Sequence, residues 1–314
     1  MKWLFQRHED IVVAQQEEAP VGEQADERAE APTKLGVVVR AASQVGHRTG
    51  NQDRYLVGGS VVAVADGVGG SVRGDAAAQV ALGRIGIDSA LIGDHVPPVT
   101  AVRALTASAH EQALHAATVF NAVETSSTLS MVHVSRPRRS DYREEDTPRA
   151  GRESEPATTE ESTPVLADTP ADVDVPDDGV EKLTLTFAWV GDSPIYLVVD
   201  GQVEQISRPH TTAPSGHAGG GYALQRAIGG IDATPDVVQR TVTAGARVLL
   251  ASDGVLDIPA DEVEAALLDP DYGPSDCVEV LLEFAQEYGV RDNTTVAVID
   301  VVDTSQFVGL SQLV

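Results

Sequence analysis

Five short acidic motifs recur along the chain in a fixed order, each at the end of an apolar run. They are Asn51-Gln52-Asp53, Val64-Ala65-Asp66-Gly67-Val68-Gly69-Gly70, Val190-Gly191-Asp192-Ser193, Ala251-Ser252-Asp253-Gly254 and Asp292-Asn293-Thr294. An Asp at a strand end, beside a glycine that lets the backbone come close, presents its carboxylate to a ligand. If such strand ends meet, their carboxylates repel one another unless cations sit among them. Each motif taken singly is ordinary turn chemistry, since Asp-Gly is a common hairpin turn and Asn-Gln-Asp suits an Asx turn. Asp66, however, is followed by three glycines within four residues, more than a hairpin needs, and Asp253 follows the apolar run Val248-Leu249-Leu250-Ala251. Arg48 lies three residues before Asn51, which sets a guanidinium, the natural partner of a phosphate oxygen pair, beside the acidic set. The pattern points to a hard-cation site.

Bulk properties narrow the alternatives. The 314 residues suit one large domain or two small ones, and 48 acidic against 22 basic side chains give a net charge of −26. That charge disfavours nucleic acid and anionic membrane surfaces as partners and favours divalent cations. No apolar run approaches the roughly 20 residues of a membrane span. Trp3-Leu4-Phe5, between Lys2 and Arg7, is too short for a signal-peptide core, so a cytoplasmic setting is expected. The single cysteine, Cys277, excludes an intrachain disulfide. With Val280, Leu281, Phe284 and Tyr288 at helical spacing, it reads as a core thiol and not a nucleophile. His8, His95, His110, His115, His133, His210 and His217 show no metal-ligand spacing, and His47 reads as a surface loop residue. No P-loop or dinucleotide fingerprint is present.

Along the chain, residues 14–34 are acidic and poor in large apolar side chains, and read as part of a disordered leader, with order beginning near Leu35. Strands are expected at 36–40, 55–57, 61–64, 128–134, 183–190, 195–199, 247–251 and 295–302, with turns at Gly58-Gly59-Ser60 and Asp200-Gly201. Helices are expected at 74–92, with Ala77, Val80, Ala81, Ile85 and Leu91 on one face, and at 99–118, with Val102, Leu105, Ala109 and Leu114 as the stripe. Two more follow at 260–268 and 275–288. Residues 136–180 carry six prolines, begin basic and end acidic, and read as a disordered insertion between two neighbouring strands. Many strands, two helices in each half and little βαβ alternation argue an α+β fold.

In order and spacing, six pieces resemble the metal-dependent type 2C serine/threonine phosphatases (the PPM family) in their bacterial form. These are Arg48-x-x-Asn51-Gln52-Asp53, Ala65-Asp66-Gly67-Val68-Gly69-Gly70, Ser127-Thr128-Leu129, Val190-Gly191-Asp192-Ser193, Ser252-Asp253-Gly254-x-x-Asp257 and Asp292-Asn293-Thr294-Thr295. The resemblance covers roughly residues 36–302 apart from the insertion. It implies a four-layer α-β-β-α sandwich, two antiparallel sheets flanked by helix pairs, over a phosphatase domain at 35–303. Residues 1–34 would be a leader, 136–180 an insertion and 304–314 a C-terminal tail.

The resemblance further implies that Asp66 bridges two Mn²⁺ or Mg²⁺ ions, that Gly67 offers its carbonyl to one of them, that Asp253 and Asp292 complete the other ion's shell, and that Asp53 is a ligand directly or through water. Asp192 and Asp257 match positions linked to a third, weaker metal, and Arg48 would hold the substrate phosphate. The implied reaction is in-line attack by water activated between two metals on phosphoserine or phosphothreonine of proteins phosphorylated by Ser/Thr kinases. Oxygen-only ligands suit Mg²⁺ and Mn²⁺. The chain is expected to act as a monomer.

The chain departs from the family pattern in three ways. Val68 stands where some members have a histidine, Pro209 replaces the Asp of an Asp-His-Ser/Thr segment, and the stretch from 210 to 224 is short and Gly-rich. The alternatives are a non-catalytic regulator of the same fold that binds phosphoproteins, and a scaffold whose polar segments recruit partners.

Overall fold

The structure, a computed structural model, describes residues 11–13, 34–68, 74–93, 95–119, 125–137, 180–212 and 223–306. Most of the leader, nearly all of the insertion, Gly69 and Gly70, residues 213–222 and the tail after 306 lie outside the described residues.

Two antiparallel sheets form the centre. One has the order β1 (Ile11–Val13), β2 (Leu35–Gln44), β13 (Thr294–Asp303), β12 (Arg247–Ala251), β9 (Ile195–Val199), β10 (Gln202–Gln205). The other has the order β11 (Asp236–Val242), β8 (Leu183–Val190), β7 (Leu129–Ser135), β4 (Val61–Ala65), β3 (Arg54–Gly58). A two-residue ladder joins β5 (Gly67–Val68) to β6 (Ser126–Ser127). Successive side chains of a strand point to opposite faces, and here both faces are covered. In β12, Val248 and Leu250 enter the core between the sheets, while Leu249 and Ala251 face the outer helices. In β4, Val62 and Val64 face the other sheet, while Val61, Ala63 and Ala65 face outward into the second helix layer. This explains why several strands read as unbroken apolar runs.

The outer layers are α1 (Gly74–Ser89) with α2 (Pro98–Val119), and α3 (Ala260–Leu268) with α4 (Pro274–Glu287). Ala77, Ala78 and Ala81 on α1 and Ala109 and Ala113 on α2 are fully buried, and their small side chains let the two helices lie close on the sheet. The expected four-layer α-β-β-α sandwich is thus the observed architecture.

Local differences have physical causes. Leu91 was expected on the buried face of the first helix, but α1 ends at Ser89 and Leu91 is 79% exposed in the turn beyond it. Leu114 is also exposed, because the buried stripe of α2 runs Val102, Leu105, Ala109, Ala113, Ala116, and position 114 falls off it. Tyr288 lies past the end of α4 and is exposed, while Cys277, Leu281 and Ala285 are buried. The edge strand β11 escaped the sequence reading because Asp236, Gln239 and Arg240 interrupt its apolar residues. Order was expected to begin near Leu35, yet Ile11–Val13 pairs with Val37–Val39 of β2 as an added edge strand.

Both expected turns form. Gly59-Ser60 links Gly58 to Val61, with Gly59 at φ 55°. Asp200 and Gly201 both take positive φ, 52° and 72°, between Val199 and Gln202, as a two-residue hairpin requires.

Candidate metal centre

The five acidic motifs lie at one end of the sandwich. Asp66 follows the last residue of β4, Asp53 precedes β3, Asp192 follows β8, Asp253 follows β12 and Asp292 precedes β13. Arg54 pairs with Ala65, Leu129 with Val190, and Ala251 with Val296, so antiparallel register brings these ends together.

Asp66 is the focus. Its carboxyl is held well above the ordinary carboxylate range, first by burial and then by the charges of Asp53, Asp253, Asp292 and Asp192. Four carboxylates spread over 239 positions of the chain, from Asp53 to Asp292, therefore act on one group. Asp253 is pushed up to about 7, by burial first and then by Asp192, Asp292 and Asp53, with a side-chain hydrogen bond to Asp66 opposing the rise. Asp53 is raised mainly by burial, against hydrogen bonds from Ser252 and Thr295 and a shared bond with Asp66. Among the described residues no three His, Cys, Asp or Glu side chains are already drawn to chelating positions. The carboxylates instead share hydrogen bonds with one another, the arrangement that protons impose on crowded acids. An all-oxygen set with this much uncompensated charge fits hard divalent cations, which would take over the role of those protons.

Polar neighbours hold the Asp53 side chain and the Asp66 backbone in place. Thr295 Oγ1 donates to Asp53 Oδ2 at 2.8 Å. With that proton committed, Ser43 Oγ donates to Thr295 Oγ1 at 2.6 Å, and Asn51 Nδ2 donates to Ser43 Oγ at 2.6 Å. Asn51 Oδ1 in turn accepts the Asp53 N–H at 3.0 Å, so four residues close a ring around Asp53. The Asp66 N–H donates to Thr128 Oγ1 at 3.1 Å, and the Asp66 carbonyl accepts the Thr128 N–H at 2.8 Å. Asn293 ties the motifs together. Its Oδ1 accepts the Gln52 N–H, and its Nδ2 donates to the carbonyls of Val45 and Gly50.

Two glycines are required by close approach. A β-carbon on Gly67 would stand 2.3 Å from the Gly74 carbonyl carbon, and one on Gly254 would stand 2.2 Å from the Asn293 carbonyl oxygen. Each is the glycine after a principal Asp, so both carboxylates sit on backbone that no side chain can spread apart.

Arg48 lies in this field. Its Nη2 is 2.5 Å from Asp292 Oδ2, and the charges of Asp292, Asp253 and Asp66 all raise its pKa. Asp192 is raised by burial. Asp257 ends the 3-10 turn Asp253–Asp257 exposed, and it is not among the leading charges on Asp253 or Asp192. His47 is exposed, as expected. The sequence reading assigned no role to Asn293, Ser43, Ser252 or Thr295. The polar run through Asp292-Asn293-Thr294-Thr295 at the mouth of a buried strand was the available signal.

No family profile matches the chain. A segment of 132 residues is 36% identical to the serine/threonine protein phosphatase PstP of Mycobacterium tuberculosis, covering 38% of this chain and 25% of that protein. A second segment match, 32% identical over 146 residues, is to human protein phosphatase 1F, covering 37% of this chain and 32% of the relative. The chain thus spans only about a quarter to a third of these curated relatives. Solved structures match over most of the fold. The catalytic domain of PstP in complex with two manganese ions superposes with a TM-score of 0.61 at 25% identity, covering 86% of this chain and all of that one. The PPM phosphatase MsPP of Mycobacterium smegmatis, in complex with cacodylate, gives 0.59 at 25% identity, covering 83% and 97%. Motif order, the shared sandwich and these likenesses agree: in sequence motifs and in fold the chain is similar to the metal-dependent type 2C serine/threonine phosphatases (the PPM family) of bacteria.

Proposed function

We propose that the chain is a metal-dependent phosphatase that hydrolyses phosphoserine and phosphothreonine in proteins phosphorylated by Ser/Thr kinases, acting as a monomer in the cytoplasm. The observation that carries the reading is the convergence of Asp53, Asp192, Asp253 and Asp292 on Asp66, with Arg48 alongside. Among the described residues no helix is long and apolar enough to cross a membrane.

Asp66 and Asp253 share a hydrogen bond, and both are pressed toward the neutral form by burial and then by neighbouring carboxylates, so a cation held among them would relieve that repulsion. Asp66, on which the other carboxylates converge, would be the central ligand, with Asp53, Asp253 and Asp292 as the remaining carboxylate donors and Asp192 as the outlying one. Asp257 is a weaker candidate because it is exposed. The Gly67 carbonyl is fixed against Gly74 and is the backbone donor of this set. Two Mn²⁺ or Mg²⁺ ions, if held by these residues, would supply the Lewis acidity needed to acidify water and polarise a phosphoryl group. Arg48 contributes a half-exposed guanidinium, paired with Asp292, as the group that would hold a phosphate oxygen pair. Cys277 is buried in the α4 core, with its thiol pushed up to about 11 by burial, which removes it as a nucleophile.

The test is phosphate release from p-nitrophenyl phosphate and from a phosphothreonine peptide by chelator-treated protein, with and without added Mn²⁺. Turnover only with metal supports the phosphatase. Peptide binding without turnover would instead identify the non-catalytic regulator.

A further inference from the structure

His210 is buried and makes no contact that the proposed chemistry uses. Its ring stacks on Trp189, with centroids 6.2 Å apart and planes 20° apart. Two hydrogen bonds join it to the turn before Asp192. The His210 N–H donates to the Gly191 carbonyl at 2.9 Å, and the Gly191 N–H donates to His210 Nδ1 at 3.2 Å. A backbone N–H only donates, so Nδ1 carries no proton and the neutral ring bears its proton on Nε2. Nε2 lies 3.4 Å from Asp236 Oδ2, whose other oxygen accepts Arg226 Nη1 at 2.7 Å. Arg226 Nη1 is also 3.2 Å from Nε2, but both atoms bear hydrogens, so Asp236 is their common acceptor. Burial would raise the Asp236 carboxyl, yet the bonds from Arg226 and His210 outweigh it and hold it low.

The turn that His210 grips has no slack. Gly191 takes φ 108°, and a β-carbon there would stand 2.8 Å from Thr128 Cβ. Thr128 also receives the Asp66 N–H, and its hydroxyl is 2.6 Å from Ser193 Oγ. A displacement of Gly191 is therefore felt by Asp192 directly and by Asp66 through Thr128.

We propose that His210 is a positioning residue. By accepting the Gly191 N–H at Nδ1, while anchored through Nε2 to the Asp236–Arg226 pair, it fixes the turn that aims Asp192 at the divalent-cation centre. The proposal rests on the reading of Asp192 as part of that centre.

The test separates the two ring nitrogens. His210→Asn keeps an acceptor near the Nδ1 position, whereas His210→Gln places its amide near Nε2 and abandons Gly191. Calorimetric titration with Mn²⁺ should show binding in the Gln variant weakened by about ten-fold in the weakest step, as in Asp192→Asn, and near-native binding in the Asn variant. Equal isotherms for the Asn and Gln variants overturn the proposal. An unchanged isotherm for Asp192→Asn overturns it too, by removing Asp192 from the centre, and leaves the phosphatase reading on Asp66 and Asp253 standing. Nitrogen NMR of the unsubstituted chain gives an answer that needs no variant. His210 should carry its proton on Nε2 near neutral pH, and a proton on Nδ1 overturns the proposal.

Discussion

Gly254 lies so close to Asn293 that a β-carbon at 254 would stand 2.2 Å from the Asn293 carbonyl oxygen and 2.7 Å from Thr294 Oγ1. This contact brings Asp253 and Asp292, thirty-nine positions apart, to one face of the site. Gly254→Ala must push backbone from backbone. It should lower stability by about 1–3 kcal/mol and weaken Mn²⁺ binding together. A thermal melt and a Mn²⁺ titration check this, and a variant native in both would mean that the approach is not required.

Removing a carboxylate should stabilise the metal-free protein. Asp253 is raised from an ordinary value of 3.8 to about 7 in the folded state. The folded chain therefore holds a proton that the unfolded chain has lost, and the stability this confers is present below pH 3.8 and disappears as pH rises through about 7. In chelator, the melting temperature should rise on going from pH 8 to pH 6, by on the order of 5 °C. Asp253→Asn should melt higher than the parent at pH 8 and lose part of that pH dependence, with Asp66 carrying much of the rest. A parent whose chelated melting temperature is flat over this range contradicts the repulsion argument.

Arg48→Ala should raise KM for a phosphopeptide by about ten-fold and change kcat much less, if the guanidinium holds ground-state phosphate. Steady-state kinetics at saturating Mn²⁺ decide it. An unchanged KM would leave Arg48 as the partner of Asp292 alone.

The insertion leaves and re-enters at the end of the sandwich away from the carboxylates. Ser135 pairs with Thr184 at that end of β7 and β8, and Leu129 pairs with Val190 at the other, a strand length of about 20 Å away. Arg136 and Glu181 form an ion pair across its base, and Glu181 Oε2 also accepts the Leu35 N–H at 3.0 Å. Deleting residues 138–179 and closing with a short Gly/Ser linker should therefore keep the fold and the activity. Shortening the loop should add about 1–2 kcal/mol through closure entropy. A deletion that melts lower or loses activity would show that the segment packs on the core.

The layers and the carboxylates were legible in sequence for the same reason. Strands covered on both faces leave unbroken apolar runs, and an Asp-Gly pair after such a run marks the exposed strand end. What escaped is chemistry made between distant segments. The ring Asn51–Ser43–Thr295–Asp53 and the bonds of Asn293 to Val45 and Gly50 join residues up to 252 positions apart, and no local pattern announces them. In sequence His210 was a histidine without ligand spacing, in a segment resembling Asp-His-Ser/Thr whose Asp is replaced by Pro209. Its role depends on Gly191, Trp189 and Asp236, which meet only in the fold. Leu91 was misplaced because α1 stops at Ser89, and Leu114 because the buried stripe of α2 continues through Ala113 and Ala116.

The most direct test of the central claim is the rate of phosphate release from a phosphothreonine peptide as Mn²⁺ is titrated into chelator-treated protein, with Asp66→Asn run beside it. The unsubstituted chain should rise from background to a saturating rate, and the variant should stay at background at every Mn²⁺ concentration while keeping a cooperative melt. A full rate in chelator, or native kinetics in Asp66→Asn, would contradict a reaction run by cations held on this carboxylate cluster.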